Sequence, residues 1–101
     1  MDTLAILAQL EARPGKEAEL EAFLKSALPL AQAEQQTTTW YALKLSPSKF
    51  AIFDTFPDAA GRDAHLNGEI AKALFAKADE LLAKPPVIDQ PEILAVKFPK
   101  S

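Results

Sequence analysis

The sequence has no cysteine and a single histidine, His65. The first absence excludes a disulfide scaffold, a thiolate-held zinc or iron–sulfur centre, and thiol catalysis. The second excludes a multi-histidine metal centre. Positive charge is also scarce: 11 Lys and Arg stand against 14 Asp and Glu, a formal charge of −3. Nothing concentrates that positive charge, which argues against a phosphate-backbone binder. No run approaches the ~18 apolar residues of a membrane span. The start Met1-Asp2-Thr3 lacks the basic residues of a signal peptide, so a cytoplasmic protein with no nucleic-acid or membrane partner is expected. Phosphate-cradling loops, dinucleotide fingerprints, nucleophile elbows and zinc spacings are missing too. What remains is 101 residues, 49% hydrophobic and 25% charged, the balance of one soluble domain spanning 1–101. A domain of this size buries roughly 65% of the surface its unfolded chain exposes, enough for a core without staples.

Thr3 to Ala12 is apolar on both faces: Leu4, Ile6, Ala8 and Leu10 on one, Ala5 and Leu7 on the other. That pattern is a buried strand. Arg13-Pro14-Gly15 is a turn. Glu17, Glu19 and Glu21 then suit the opening of a helix, and Leu20, Phe23, Leu24, Ala27 and Leu28 form one stripe. Pro29 kinks this helix or ends its regular part, with Ala31 to Glu34 as its last turns. Thr37 to Leu43 and Phe50 to Phe56 are strands joined by the turn Ser46-Pro47-Ser48-Lys49, an antiparallel hairpin. Asp58 is a candidate N-cap for a short helix to Leu66. A second helical piece runs from Glu69 to Ala83, and Lys84-Pro85-Pro86 ends it. Val87-Ile88 and Ile93 to Phe98 give the last strand, broken by Asp89-Gln90-Pro91.

The order is strand, helix, strand, strand, helix, strand. It predicts a ferredoxin-like α+β sandwich with the first and third strands side by side in the centre. Helices cover one face of that sheet. The other face is left bare and is apolar too: the first strand is apolar on both sides, and in the third Phe50, Ile52 and Phe56 face one way and Ala51 and Phe53 the other. In the last strand Leu94, Val96 and Phe98 oppose Ile93 and Ala95. A monomer would expose this patch, so a homodimer packed sheet to sheet is expected.

In the order of its pieces the chain resembles the antibiotic biosynthesis monooxygenase domain family. The pieces are Ala12-Arg13-Pro14-Gly15-Lys16-Glu17, Glu34 with Thr37 to Tyr41, Phe50 to Phe56, Asp58-Ala59-Ala60 and Ala64-His65-Leu66. The resemblance implies a dimeric α+β barrel. It departs from the family at Glu34-Gln35-Gln36, where Glu-Pro-Gly is common, which loosens the turn before the second strand. It also implies a cofactor-independent monooxygenase, an oxidoreductase that joins O2 to a small aromatic such as a hydroquinone, phenol or anthrone. The alternative on the same fold is a non-catalytic ligand-binding or stress-associated dimer. Haem-degrading members carry an Asn, a Trp and a His where an ungapped alignment places Ala8, His65 and Phe75. The resemblance therefore implies neither haem nor a catalytic metal.

His65 is the one side chain whose ordinary pKa lies near neutrality. It reads as a pocket acid or base, as a donor to a substrate oxygen, or as a packing residue between helix and sheet. Asp54, polar in an apolar register, would orient His65, act as a base, or accept hydrogen bonds at the strand end. Trp40, Tyr41, Phe56 and Phe75 form the aromatic set that would line a substrate cavity or fill the core and dimer interface. Trp40 and Tyr41 are adjacent, so only one of them can face a given wall. Arg62 would pair with an anionic substrate or simply be solvated. On this reading His65→Ala costs folding only about 1 kcal/mol.

Overall fold

The computed structural model describes residues 3–97. Strand β1 (Leu4–Glu11) is followed by helices α1 (Glu17–Ser26) and α2 (Leu28–Ala33), then strands β2 (Thr39–Lys44) and β3 (Lys49–Phe56). Helices α3 (Ala59–Leu66) and α4 (Glu69–Leu81) and the short strand β4 (Val87–Asp89) complete it. The sheet order is β2-β3-β1-β4, every pair antiparallel. β1 and β3 therefore hold the centre, as the crossover rule requires.

The turn before α1 depends on Gly15, whose φ of 89° is costly for any residue with a Cβ. Its N–H donates to Glu17 Oε1 at 2.9 Å. Pro29 does not kink a continuous helix. Instead α1 stops at Ser26 and α2 begins at Leu28, with Pro29 in the first turn, where a missing N–H loses no helical bond. Asp58 caps α3 as expected: its Oδ1 accepts from the Gly61 N–H at 2.8 Å.

Register decides which face is buried. Leu4, Ile6, Ala8 and Leu10 stand opposite Phe56, Asp54, Ile52 and Phe50. Because strand side chains alternate, all eight share the face under the helices. Ala8, Leu10, Phe50 and Ile52 pack against Leu20 and Leu24 of α1 and Leu74 and Leu81 of α4. Each such Leu or Phe contributes about 1.5–3 kcal/mol by leaving water. The opposite face presents Tyr41, Leu43 and Val87, all exposed, with the Tyr41 and Phe53 rings 6.4 Å apart.

The expected last strand is shorter than its apolar run suggested. β4 ends at Asp89, and only an isolated bridge from Leu4 to Glu92 continues the pairing. Pro91 brings no N–H to the ladder, which accounts for the break. Beyond it the Ile93 N–H donates to Thr3 O, while Leu94 is 89% exposed and Val96 45%. The predicted two-faced strand over Ile93 to Val96 does not form; Phe98 lies outside the described residues. Among the described residues no helix is long and apolar enough to cross a membrane.

Candidate functional site: a histidine between two carboxylates

The Asp58 cap starts α3 so that Gly61 and His65, one turn apart, both point inward and are buried. Gly61 lies against the segment after α2. A Cβ there would come within 3.1 Å of the Gln36 carbonyl oxygen, so a side chain would have to push helix and loop apart by a few tenths of an ångström. That approach brings together residues far apart in sequence. His65 Nδ1 stands 2.6 Å from Glu34 Oε1, and its Nε2 stands 2.8 Å from Asp54 Oδ2. Glu34 closes α2, Asp54 comes from the helix-covered face of β3, and the Phe56 ring sits 5.4 Å from the imidazole.

The two contacts differ in quality. The Nδ1–H donates a well-formed hydrogen bond to Glu34 Oε1, which also accepts from the Thr37 hydroxyl at 2.7 Å. The Nε2 approach to Asp54 is short but off-axis, and neither Asp54 oxygen receives an aligned donor although the residue is 0% exposed. It is an ion-pair contact more than a hydrogen bond.

Burial by itself would strip the proton from His65. The Asp54 and Glu34 carboxylates outweigh it and hold the ring at about 9. Burial also pushes the Asp54 carboxyl above its ordinary range, opposed by the imidazolium beside it. His65 is therefore protonated at neutral pH, with both N–H groups turned to carboxylates. No lone pair is free, so the general-base reading of His65 gives way to that of a fixed positive charge.

A cavity of about 340 Å³ opens on this cluster. Its apolar walls are Leu30, Ala33 and Ala64, and the polar residues Glu34 to Thr37, His65 and Glu69 complete it around Gly61 and Gly68. Gly68 has a specific part: a Cβ there would lie 3.1 Å from Glu34 Oε2. The oxygen not taken by His65 and Thr37 thus lies beside Gly68, and both residues line the cavity. Among the described residues no group of three or more His, Asp and Glu is arranged to hold a metal ion.

The residues expected from sequence are distributed as follows. His65 lines the cavity, and Asp54 stands behind it. Phe56 is fully buried against His65 and does not line the cavity. Trp40 lies opposite Asp54 in the β2–β3 register and packs against the main core and against a smaller cluster of Ala27, Ala31 and Ile70, its Nε1 buried without a partner among the described residues. Tyr41 is on the other sheet face and half-exposed. Phe75 is 55% exposed, because the buried stripe of α4 is Ile70, Leu74 and Leu81 and Phe75 stands about a quarter-turn off it. Arg62 does not reach the lining, and its Nε is buried unpaired. The aromatic wall is thus corrected to an aliphatic one. Glu34, which the sequence marks as part of the family resemblance and as the first residue of an atypical turn, is the cavity residue and His65 partner that the sequence did not single out as a site residue. Its one local signal is Thr37, three residues on.

Comparison with solved structures gives the chain a family. The chain is 57% identical to the NE2512 protein of unknown function from Nitrosomonas europaea, covering 100% of this chain and 98% of that one with a TM-score of 0.95. The chain belongs to the family of that protein. PA3566 from Pseudomonas aeruginosa is 24% identical, with 94% and 97% of the two chains covered and a TM-score of 0.80. An antibiotic biosynthesis monooxygenase is 17% identical, with 93% and 99% covered and a TM-score of 0.75. The expected resemblance to the antibiotic biosynthesis monooxygenases holds at the level of the fold, a ferredoxin-like α+β sheet. No family model matches the chain, and no curated protein does.

Proposed function

We propose that the protein is a cofactor-independent monooxygenase of a small hydroxylated aromatic, with Glu34 as its base. One observation carries this reading. Glu34 lines the cavity with one oxygen held by His65 and Thr37 and the other beside Gly68, itself a lining residue. A substrate hydroxyl would donate to Oε2 and pass its proton there. The negative charge then moves from Glu34 to the substrate, still beside the imidazolium, which Asp54 keeps protonated and in place. A hydroquinone anion is electron-rich enough to give one electron to O2. The resulting radical pair recombines to a C–O bond, and the peroxide collapses to a hydroxyquinone. One oxygen atom stays in the product and the other leaves as water, so the substrate supplies every electron.

The cavity lies at the small end of ligand-site volumes, which favours one or two rings over a three-ring anthrone. The reading includes a cytoplasmic homodimer in which a second copy covers Tyr41, Leu43 and Val87. It calls for no nucleic-acid or membrane partner. Oxygen uptake by purified protein with a hydroquinone panel tests it. Glu34→Gln should lower the rate by ~10²-fold or more, the size of a general-base contribution. Tight binding without turnover in wild type would favour the non-catalytic module, which the fully paired His65 would serve equally well.

A further inference from the structure

Among the described residues the cavity offers a ligand no free cation. His65 is the only positively charged lining residue among them, and both its ring nitrogens are engaged with carboxylates. No described Lys or Arg reaches the lining, Arg62 included. Two carboxylates do: Glu34 in the wall and Glu69 at the start of α4. Glu69 is 75% exposed, which puts it at the solvent side, and its nearest cation is Lys72 at 3.8 Å, itself 69% exposed. Asp54 stands directly behind His65. With the imidazolium set against one of Glu34 and Asp54 and Lys72 loosely against Glu69, one carboxylate charge is left over.

We infer that this cavity selects hydroxylated aromatics that are neutral or carry an ammonium group and rejects those carrying a carboxylate, sulfonate or phosphate, with Glu69 as the specificity-determining residue at its mouth. The inference deepens the proposed function and rests on it: a hydroxyl supplies the donor that Glu34 accepts, and the remainder of the ligand meets Glu69. A low-dielectric concave wall focuses such a field more than an open surface does. An anionic substituent a few ångströms from a carboxylate held only by a loose, exposed ion pair, at an interfacial dielectric, should lose about tenfold in affinity. The part due to Glu69 faces water and should shrink as salt is raised.

Three probes of one skeleton test this by calorimetry under anaerobic conditions at pH 7: ethylhydroquinone, aminoethylhydroquinone and carboxymethylhydroquinone. The first two should bind, and the carboxylate should bind about tenfold more weakly. Glu69→Lys, at an exposed position that should not disturb folding, should bring the carboxylate to within about threefold of the neutral probe. A carboxylate that binds wild type as well as the neutral probe overturns the charge selection while leaving the substrate site standing. An unchanged preference in Glu69→Lys overturns the role of that residue. Failure of all three probes to bind overturns the hydroxy-aromatic site itself, and this inference with it.

Discussion

His65→Ala is the most demanding test of the carboxylate–imidazolium–carboxylate cluster. The sequence reading expects it to cost folding about 1 kcal/mol, as for an ordinary polar contact. The structure gives a much larger figure. The substitution removes the one positive charge between Glu34 and the fully buried Asp54. Breaking a buried ion pair from one side costs about 3–5 kcal/mol, because the remaining charge is left unpaired. The pH dependence gives an independent magnitude. The rise of His65 from 6.5 to about 9 corresponds to about 3 kcal/mol. Its sign follows from the raised value. That stabilisation is complete below pH 6.5 and is lost as pH climbs through 9. Asp54 modifies the variant, since without the imidazolium it can take up a proton and relieve the repulsion at lower pH. A loss of about 4 kcal/mol, against a total of about 5–15 for a domain, should lower the melting temperature by about 15–30 °C. Urea and thermal unfolding followed by circular dichroism and Trp40 fluorescence would measure it. The loss should be greatest near pH 6.5, easing at lower pH as Asp54 takes up a proton in the variant and at higher pH as His65 gives up its own in wild type. Wild type should weaken between pH 7 and pH 9.5, and the variant should not show that slope. The double change His65→Leu with Asp54→Leu should recover much of the loss, because apolar pairs replace buried ion pairs at little cost. A His65→Ala protein within about 1 kcal/mol of wild type at pH 6.5 would refute the reasoning.

Gly68→Ala is compatible with the local φ of −90°, so chain entropy alone would favour it slightly. Its Cβ would nevertheless meet Glu34 Oε2 at 3.1 Å and the carbonyl oxygens of Ala64 and His65 at 3.2 and 3.3 Å, two of them backbone atoms with no freedom to yield. We expect about 1–3 kcal/mol of destabilisation and a displaced Glu34, read as a lower melting temperature and weaker hydroquinone binding; a more stable variant would contradict this. Tyr41→Lys should turn the expected dimer into a monomer in sedimentation, since it puts a charge beside Phe53 on the open sheet face. A wild-type protein that already sediments at the 11.0 kDa of one chain would remove the sheet-to-sheet dimer.

The parts of the fold legible in the sequence are those fixed by short-range periodicity. Period-two alternation placed Leu4, Ile6, Ala8 and Leu10 on one face, and the register with Phe50 to Phe56 leaves them there. Asp58 before α3 was readable because a cap is a local bond. The final segment misled because its apolar residues alternate as a strand would, while Pro91 removes the donor that pairing needs. Phe75 misled for a related reason: one residue from Leu74, it shares the helix but not the buried stripe. The site divides along the same line. His65 could be picked out because no other side chain ordinarily titrates near neutrality, and Asp54 because it interrupts an apolar strand. Glu34 could not, since it meets His65 across 31 residues through the Gly61–Gln36 approach, which no local pattern encodes. That gap changes the chemistry as well as the inventory. A buried histidine by itself is a candidate base, because desolvation lowers its affinity for a proton. A buried histidine with a carboxylate at each nitrogen is a cation, because the two partners reverse the sign of that effect. Composition names the residue, and only the pair of contacts decides which of the two it is.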